Sequence, residues 1–160
     1  MSLAVDQTLV DTVCTIARAA GRVILDVYNT DFSVTAKNDA SPVTEADQRA
    51  EALILEALRR DLGQQYPIVA EEEVAAGRTP VVGGGPFWLV DPLDGTKQFV
   101  TRRGEFTVNI ALIEDGLPVF GVVHAPAVGA TYWGSPLGAF AQADGGAVER
   151  IACRPVPEKG

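Results

Sequence analysis

The sequence predicts an α+β fold in which two N-terminal helices pack on a mostly antiparallel sheet. Residues 5–28 and 44–58 place apolar side chains at steps of three or four, the spacing of amphipathic helices. From residue 105 onward, short apolar runs are separated by turns rich in Gly, Asp and Pro, which is typical of strands joined by tight connections. Because the helices precede the strands instead of alternating with them, we do not expect a doubly wound parallel sheet.

The two predicted helices have distinct boundaries. Pro42 is expected to stop any helix that runs into it, so the second helix begins at Thr44 and ends before Gly63. Asp47 follows Thr44 at the spacing of a capping arrangement, which predicts that Asp47 helps to start this helix. The expected buried faces are Leu9, Val13, Ile16, Ala20, Ile24 and Val27 in the first helix and Ala46, Ala50, Leu53, Ile54, Ala57 and Leu58 in the second.

The remainder of the chain predicts an antiparallel meander. The pair Asp115-Gly116 between two apolar runs is a strong hairpin signal. The predicted strands are 106–114, 119–124, 130–134, 139–142 and 147–151. His124 lies at a strand end without a Cys or His partner in the sequence, so we interpret it as a structural or surface residue.

Acidic residues follow two short apolar runs that precede the meander. Residues 87–90 predict a strand that stops at Asp91, after which Pro92 and Gly95 turn the chain sharply. Asp91, Asp94 and the Leu93 carbonyl in this turn could converge on a hard cation such as Mg²⁺. Thr96 follows with a hydroxyl that can orient a water molecule.

The upstream run, residues 67–70, ends at the three acids Glu71, Glu72 and Glu73. Two strand ends could therefore bring three or more carboxylates together in a metal site. An alternative interpretation is a solvated turn, because Asp-Pro and Asp-Gly are common turn formers and the turn alone favours neither interpretation.

Three further features receive mainly structural interpretations. Residues 74–86 predict a mobile linker and not a phosphate-binding P-loop, since no Gly-Lys-Ser/Thr follows the glycines. Arg102 and Arg103 belong either to a solvated turn or to a position near substrate phosphate. Cys14 and Cys153 lack metal-ligand spacing and are interpreted as buried structural thiols, which suit a reducing cytosol.

Length and charge restrict the class of partner. A chain of 160 residues with 47% hydrophobic residues is expected to form one globular domain. The formal net charge of -8 argues against a nucleic-acid polymer as partner. A small phosphorylated substrate remains compatible, because Mg²⁺ would supply positive charge. Without a leader or an apolar run of membrane-spanning length in this sequence, we expect a cytoplasmic location and no membrane segment.

Several motifs together resemble a known enzyme family. Residues 44–47 (TEAD), 70–72 (AEE) and 91–96 (DPLDGT) occur in the order and spacing of the inositol monophosphatase-like, Mg²⁺-dependent phosphatase superfamily. Residues 37–44, 88–99 and 104–113 are similar to the CysQ-type 3'(2'),5'-bisphosphate nucleotidases of that superfamily. The resemblance covers nearly the whole chain. It implies the N-terminal part of the layered αβαβα sugar-phosphatase fold.

The resemblance also implies a role for each site residue. Glu71, Asp91 and the Leu93 carbonyl would hold one Mg²⁺, and Asp91 and Asp94 would hold a second. Thr96 and Glu71 would orient the attacking water, with Asp47 paired to Thr96 and polarising that water. Glu72 would be an outer acid of the site. The residues implied to contact substrate are Lys37, Glu71, Asp94, Gly95 and Thr96.

One departure from the family qualifies these implications. Family members continue into a second α/β portion with a Trp-Asp motif, whose aspartate completes the second metal site, and with residues that hold the nucleotide. We therefore expect residues 1–154 to form the N-terminal metal-binding domain and residues 155–160 a tail, with the C-terminal half absent. We also expect impaired activity and self-association into a homo-oligomer through uncovered apolar surface.

The function implied is Mg²⁺-dependent hydrolysis of a phosphomonoester, namely the 3'-phosphate of adenosine 3',5'-bisphosphate, a by-product of sulfate assimilation. An inositol monophosphatase and a catalytically inactive metal-binding fragment are the alternatives. The nucleophile loop of haloacid-dehalogenase-type phosphatases, Asp-x-Asp-Gly-Thr, is excluded because Asp91 and Asp94 are one residue too far apart.

Overall fold

Two long helices cover one face of a seven-stranded sheet. The computed structural model describes residues 4–30 and 42–157. In chain order its elements are α1 (Gln7–Tyr28), α2 (Pro42–Asp61), β1 (Ile68–Ala70), α3 (Glu71–Ala75), β2 (Phe87–Asp94), α4 (Thr96–Val100), β3 (Thr107–Glu114), β4 (Leu117–Ala125), β5 (Ala130–Ser135), β6 (Gly138–Ala143) and β7 (Val148–Ile151). None of the helices in the described ranges has the length and apolarity needed to cross a membrane.

The first helix agrees with the sequence prediction. The N-cap residue is Asp6, whose side chain accepts a hydrogen bond from the Leu9 amide at 2.9 Å. The predicted apolar face is buried against α2 and the sheet. The three-to-four spacing was sufficient here because one continuous apolar face contacts both α2 and the sheet.

The start of the second helix differs from the prediction. Helix α2 begins at Pro42, not at Thr44. A proline fits the first helical position because its fixed φ suits the helix and its missing amide hydrogen is not needed there. Asp47 therefore lies in the second turn, and its interpretation as a residue that starts the helix is wrong.

The sheet is mostly antiparallel, as predicted. Its strands follow sequence order from β1 to β7, and only the β1–β2 pair is parallel among the described strands. The predicted hairpin joins β3 to β4 through Asp115 and Gly116, which have φ values of 52° and 75°. Both residues are in the left-handed region that a two-residue hairpin of this type requires.

The acid-bearing region differs from the prediction in two respects. Strand β2 continues to Asp94 with an irregularity after Asp91, and the chain turns at Gly95 instead of Pro92. Pro92 is tolerated because the regular ladder is interrupted there. Gly95 has a φ of 96°, and a Cβ at this position would lie 2.7 Å from the Glu105 carbonyl oxygen. The predicted 74–86 linker is also shorter, since α3 extends to Ala75.

The core lies between the helices and one face of the sheet. Side chains that alternate along the strands, such as Trp88, Val90 and Ile110, are buried there. On the opposite face Leu89, Val123 and Tyr132 are between 41% and 44% exposed, and that face carries an apolar groove of about 810 Å³.

Two residues outside the acidic region require comment. His124 is 4% exposed, its Nδ1 is 3.0 Å from the Thr131 hydroxyl, and its ring packs on Gly21 of α1, so the structural interpretation is confirmed. Cys14 is buried as predicted. Cys153 is exposed because it follows the edge strand β7, so its interpretation as a buried thiol is wrong.

Candidate metal centre

Parallel pairing of β1 with β2 brings the predicted acids together. Ala70 and Val90 are register partners at the ends of the paired segments. The next residue in each chain segment is acidic, Glu71 after Ala70 and Asp91 after Val90. The two carboxylates are consequently neighbours, and Asp94 lies close enough to influence Asp91 electrostatically.

Asp91 is the most constrained acid at this edge. Its Oδ1 atom is buried and has no hydrogen-bond partner among the residues that the structure describes. Burial, the charge and hydrogen bonding of Glu71 and the charge of Asp94 together raise the pKa of Asp91 to about 6. An anionic oxygen without a donor is unfavourable in a buried position, so this atom lacks a compensating positive group.

Asp47 approaches the same edge from α2. Its side chain is 8% exposed, and its Oδ1 atom is buried without a hydrogen-bond partner from residues 4–30 or 42–157. Burial raises the pKa of Asp47 to about 7, and the charges of Glu72, Glu71, Asp91 and Glu51 contribute in that order. The predicted pairing of Asp47 with Thr96 is not formed through this oxygen, so that pairing stays a prediction.

Glu51 is a residue of this region that the sequence interpretation missed. Its side chain is 3% exposed, and its two carboxylate oxygens accept hydrogen bonds from the backbone amides of Glu72 at 2.8 Å and Glu73 at 2.9 Å. It follows Asp47 by four residues, a spacing that places both side chains on one helix face. That spacing was the available signal, because two acids interrupt an otherwise apolar stripe.

The other predicted site residues are distributed as follows. Glu71, Asp94 and Thr96 are exposed, so a substrate could reach them, and the Leu93 side chain is buried. Thr96 is the first residue of α4, directly after the left-handed Gly95. Lys37 lies outside the described residues.

The residues present fit a hard divalent cation. The candidate ligands are all oxygen atoms, and two buried carboxylate oxygens, Asp47 Oδ1 and Asp91 Oδ1, have no donor in the described part of the chain. Within residues 4–30 and 42–157, no three acidic, His or Cys side chains are already arranged as a complete ligand set. The geometry thus provides a closely spaced acidic pair, Glu71 and Asp91, with Asp94 and Asp47 nearby.

Arg102 has a structural contact that neither earlier interpretation included. Its guanidinium donates to the carbonyl oxygens of Tyr28 and, at 2.6 Å, Thr30, and it lies over the Tyr28 ring at 5.0 Å. These carbonyls belong to the C-terminal end of α1, where cations are favourable. Arg102 therefore ties the chain after α4 to α1, although both Arg102 and Arg103 are exposed.

Comparison with known proteins gives consistent results. The chain is 47% identical over 127 residues to the 3'(2'),5'-bisphosphate nucleotidase CysQ of Salmonella typhimurium, covering 78% of this chain and 51% of that protein. The chain is 46% identical to the protein of the same name from Escherichia coli K12, covering 78% of this chain and 50% of that protein. The chain spans about half the length of these curated relatives.

Solved structures share the fold. The crystal structure of CysQ from Bacteroides thetaiotaomicron superposes with a TM-score of 0.77 at 31% identity, covering 98% of this chain and 62% of that one. An inositol monophosphatase from Anabaena gives a TM-score of 0.69 at 32% identity, covering 84% of this chain and 47% of that one. The model of the inositol monophosphatase family matches residues 6–158. Because that match includes nearly every residue, the chain belongs to the inositol monophosphatase family.

Proposed function

We propose that this chain forms the metal-binding part of a Mg²⁺-dependent phosphatase that removes the 3'-phosphate of adenosine 3',5'-bisphosphate. The observation that carries the proposal is the pair of buried carboxylate oxygens, Asp47 Oδ1 and Asp91 Oδ1, which have no donor among the described residues. Both lie at the acidic edge of the sheet, where β1 and β2 end. A protein rarely leaves such atoms unpaired, and a cation is the group that would compensate them.

The ligands of the proposed site are carboxylate and carbonyl oxygens. Glu71, Asp91 and the Leu93 carbonyl would hold one ion, and Asp91 and Asp94 would hold a second. When bound, Mg²⁺ supplies positive charge that neutralises phosphoryl oxygens and favours ionisation of the attacking water. The exposed position of Glu71 and Asp94 is compatible with contact to a phosphate group.

The remaining residues would act around these ligands. Thr96 and Glu71 would hold the attacking water in line with the phosphorus. The Thr96 hydroxyl would donate a hydrogen bond to Asp47 and accept one from that water, which polarises it. In the metal-free chain, burial and the charges of Glu72 and Glu71 raise the pKa of Asp47 to about 7, and bound Mg²⁺ would lower it so that Asp47 acts as a hydrogen-bond acceptor. Gly95 provides a backbone amide without side-chain obstruction, and we propose that Lys37 contacts the phosphate.

Substrate choice rests on the relatives. The chain is 47% identical to a protein named as a 3'(2'),5'-bisphosphate nucleotidase and 32% identical to a structure named as an inositol monophosphatase. The higher identity favours the nucleotide substrate. Inositol monophosphate is the second candidate, and a metal-binding fragment without turnover is the third.

The wider setting follows the same proposal. We propose a cytoplasmic location, a small phosphorylated substrate and no nucleic-acid polymer as partner, since the net charge is -8. Residues 1–154 would constitute the metal-binding domain and residues 155–160 a tail. The exposed apolar face with Leu89, Val123 and Tyr132 would support a homo-oligomer.

Phosphate release tests the proposed function. The assay would compare adenosine 3',5'-bisphosphate with inositol monophosphate, with and without Mg²⁺. It would use the 160-residue chain and a chimera that joins it to the remaining half of the Salmonella typhimurium relative. We expect Mg²⁺-dependent release by the chimera, faster with the nucleotide, and slow release by the short chain.

The same chimera with Asp94→Asn is the blank for background phosphatase. Its loss of release, with unchanged far-UV circular dichroism, would assign the activity to this acidic edge. A folded chimera that releases no phosphate from either substrate in Mg²⁺ would contradict the phosphatase proposal. Faster release from inositol monophosphate would favour the second candidate substrate.

A further inference from the structure

We infer that Glu51 is a positioning residue that fixes α3, and with it the side chain of Glu71, beside Asp91. This inference rests on the proposed function, because it assigns Glu51 a role at the Mg²⁺ site. Glu51 is not proposed as a ligand. Its role would be to hold the backbone that carries one.

Helix α3 lacks the local means to satisfy its own first turn. Its N-cap residue is Ala70, which has no polar side chain and makes no side-chain capping hydrogen bond. The first amide groups of any helix have no partner within the helix. A five-residue helix with an alanine N-cap is therefore unstable unless another element supplies acceptors.

Glu51 supplies these acceptors from α2. One carboxylate oxygen accepts from the Glu72 amide at 2.8 Å, and the other accepts from the Glu73 amide at 2.9 Å. The side chain is 3% exposed, so water does not replace these bonds easily. Charge-assisted hydrogen bonds to backbone amides are stronger than neutral ones.

The acid is retained despite an unfavourable electrostatic setting. The side chains of Glu72 and Glu73 are near Glu51 and carry charge of the same sign. Burial is the largest effect and raises the pKa of the Glu51 carboxyl group, whereas the hydrogen bonds from the Glu72 and Glu73 amides oppose that rise. An uncharged residue at position 51 would avoid both effects, so the two hydrogen bonds to α3 are the feature that explains a glutamate here.

Those bonds restrict Glu71 from one side while the sheet restricts it from the other. Ala70, which precedes Glu71, is register partner of Val90 in the parallel ladder. Glu72, which follows it, donates its amide to Glu51. The backbone of Glu71 is thus held on both sides, and this fixes the origin of its side chain next to Asp91. Partners that orient metal ligands commonly change metal affinity by ten- to a hundredfold when removed.

Calorimetric titration of the 160-residue chain with Mg²⁺ tests the inference. Glu51→Gln keeps one acceptor oxygen but places an NH₂ group against the second amide, so one of the two bonds is lost. We expect Mg²⁺ affinity to fall by about tenfold or more. The matched control is Glu56→Gln, an exposed glutamate on the same helix, which should leave the affinity unchanged.

Affinity separates positioning from a merely structural role. A structural role would lower the melting temperature of the metal-free Glu51→Gln chain and leave the Mg²⁺ affinity of the folded chain unchanged, which would overturn the inference. If the unsubstituted chain binds no Mg²⁺, the proposed function fails and the role of Glu51 at the metal site fails with it. These two failures are distinguished by the titration of the unsubstituted chain.

Amide hydrogen exchange provides a second test that needs no variant. First-turn amides of a short helix normally exchange quickly, because they lack partners within the helix. We expect the amides of Glu72 and Glu73 to be protected in the unsubstituted, metal-free chain. Rapid exchange of both would overturn the inference even if Glu51→Gln failed to fold.

Discussion

Replacement of Asp47 by Asn should stabilise the metal-free protein at alkaline pH. Asp47 is 8% exposed and its Oδ1 atom has no hydrogen-bond partner. Burial, together with the charges of Glu72 and Glu71, raises its pKa from 3.8 to about 7. Above that pH the folded chain must hold a buried carboxylate among other acids. Asn has nearly the same shape without the charge.

The expected change in the free energy of unfolding, and its dependence on pH, follow from the coupling between protonation of Asp47 and folding. The folded-state pKa of Asp47 is raised, so protonation favours folding, and this stabilisation is lost as pH rises from about 4 to about 7. The pKa values of Asp47 in the unfolded and folded chain differ by about 3, and a pKa difference of 1 corresponds to about 1.4 kcal/mol. Ionised Asp47 therefore lowers the free energy of unfolding by at most ~4 kcal/mol. Local relaxation reduces the cost of burying a charge, so we expect a gain of ~2 kcal/mol at about pH 8 and ~1 kcal/mol at about pH 5.5.

Urea denaturation in EDTA measures this difference. The free energies of unfolding of the unsubstituted and Asp47→Asn chains would be compared at both pH values. Asp26→Asn, an exposed aspartate of α1, is the control and should change little. Saturating Mg²⁺ should stabilise the unsubstituted chain more than Asp47→Asn. A variant less stable than the unsubstituted chain at both pH values in EDTA would refute the electrostatic reasoning.

Three further predictions concern packing and association. Gly21→Ala should lower the free energy of unfolding by about 1–3 kcal/mol, because a Cβ there would lie 2.5 Å from the ring of His124, and this outweighs the better helix propensity of alanine. Chemical denaturation would measure the change, and an unchanged stability would contradict the close contact. Arg102→Ala should lower the melting temperature by several degrees through loss of its contacts with α1, whereas Arg103→Ala should not; equal effects in calorimetry would count against the assigned contact. Sedimentation should show self-association of the unsubstituted chain at high concentration, and Tyr132→Lys should weaken that association. A clean monomer of the unsubstituted chain would exclude association through this face.

Local sequence rules predicted the parts of the fold that local interactions determine. The apolar stripe of α1 and the Asp115-Gly116 hairpin were predicted correctly, because side-chain spacing and left-handed turn residues are properties of short segments. The start of α2 was predicted incorrectly, because a proline can either end one helix or begin the next, and the neighbouring backbone determines which of the two occurs.

The acidic edge was predictable only in part. The position of acids after two apolar runs indicated that Glu71 and Asp91 would meet, and the parallel register brings them together. The four-residue spacing of Asp47 and Glu51 places both acids on one helix face, but the contact of Glu51 with α3 joins residues 21 and 22 positions apart, which local spacing does not specify. The turn at Gly95 was predicted, but the end of β2 was placed at Asp91 instead of Asp94, because tolerance of Pro92 in the strand depends on an interruption of the ladder with β3.

Calorimetric binding of Mg²⁺ by the unsubstituted and Asp91→Asn chains tests the central claim most directly. The claim is that the carboxylates after β1 and at the end of β2 form a cation site. Asp91 has a buried oxygen without a donor and adjoins both Glu71 and Asp94, so its replacement should abolish measurable binding or weaken it by about a hundredfold. The Asp26→Asn chain should bind like the unsubstituted one. Equal Mg²⁺ affinity of the unsubstituted and Asp91→Asn chains would contradict the account.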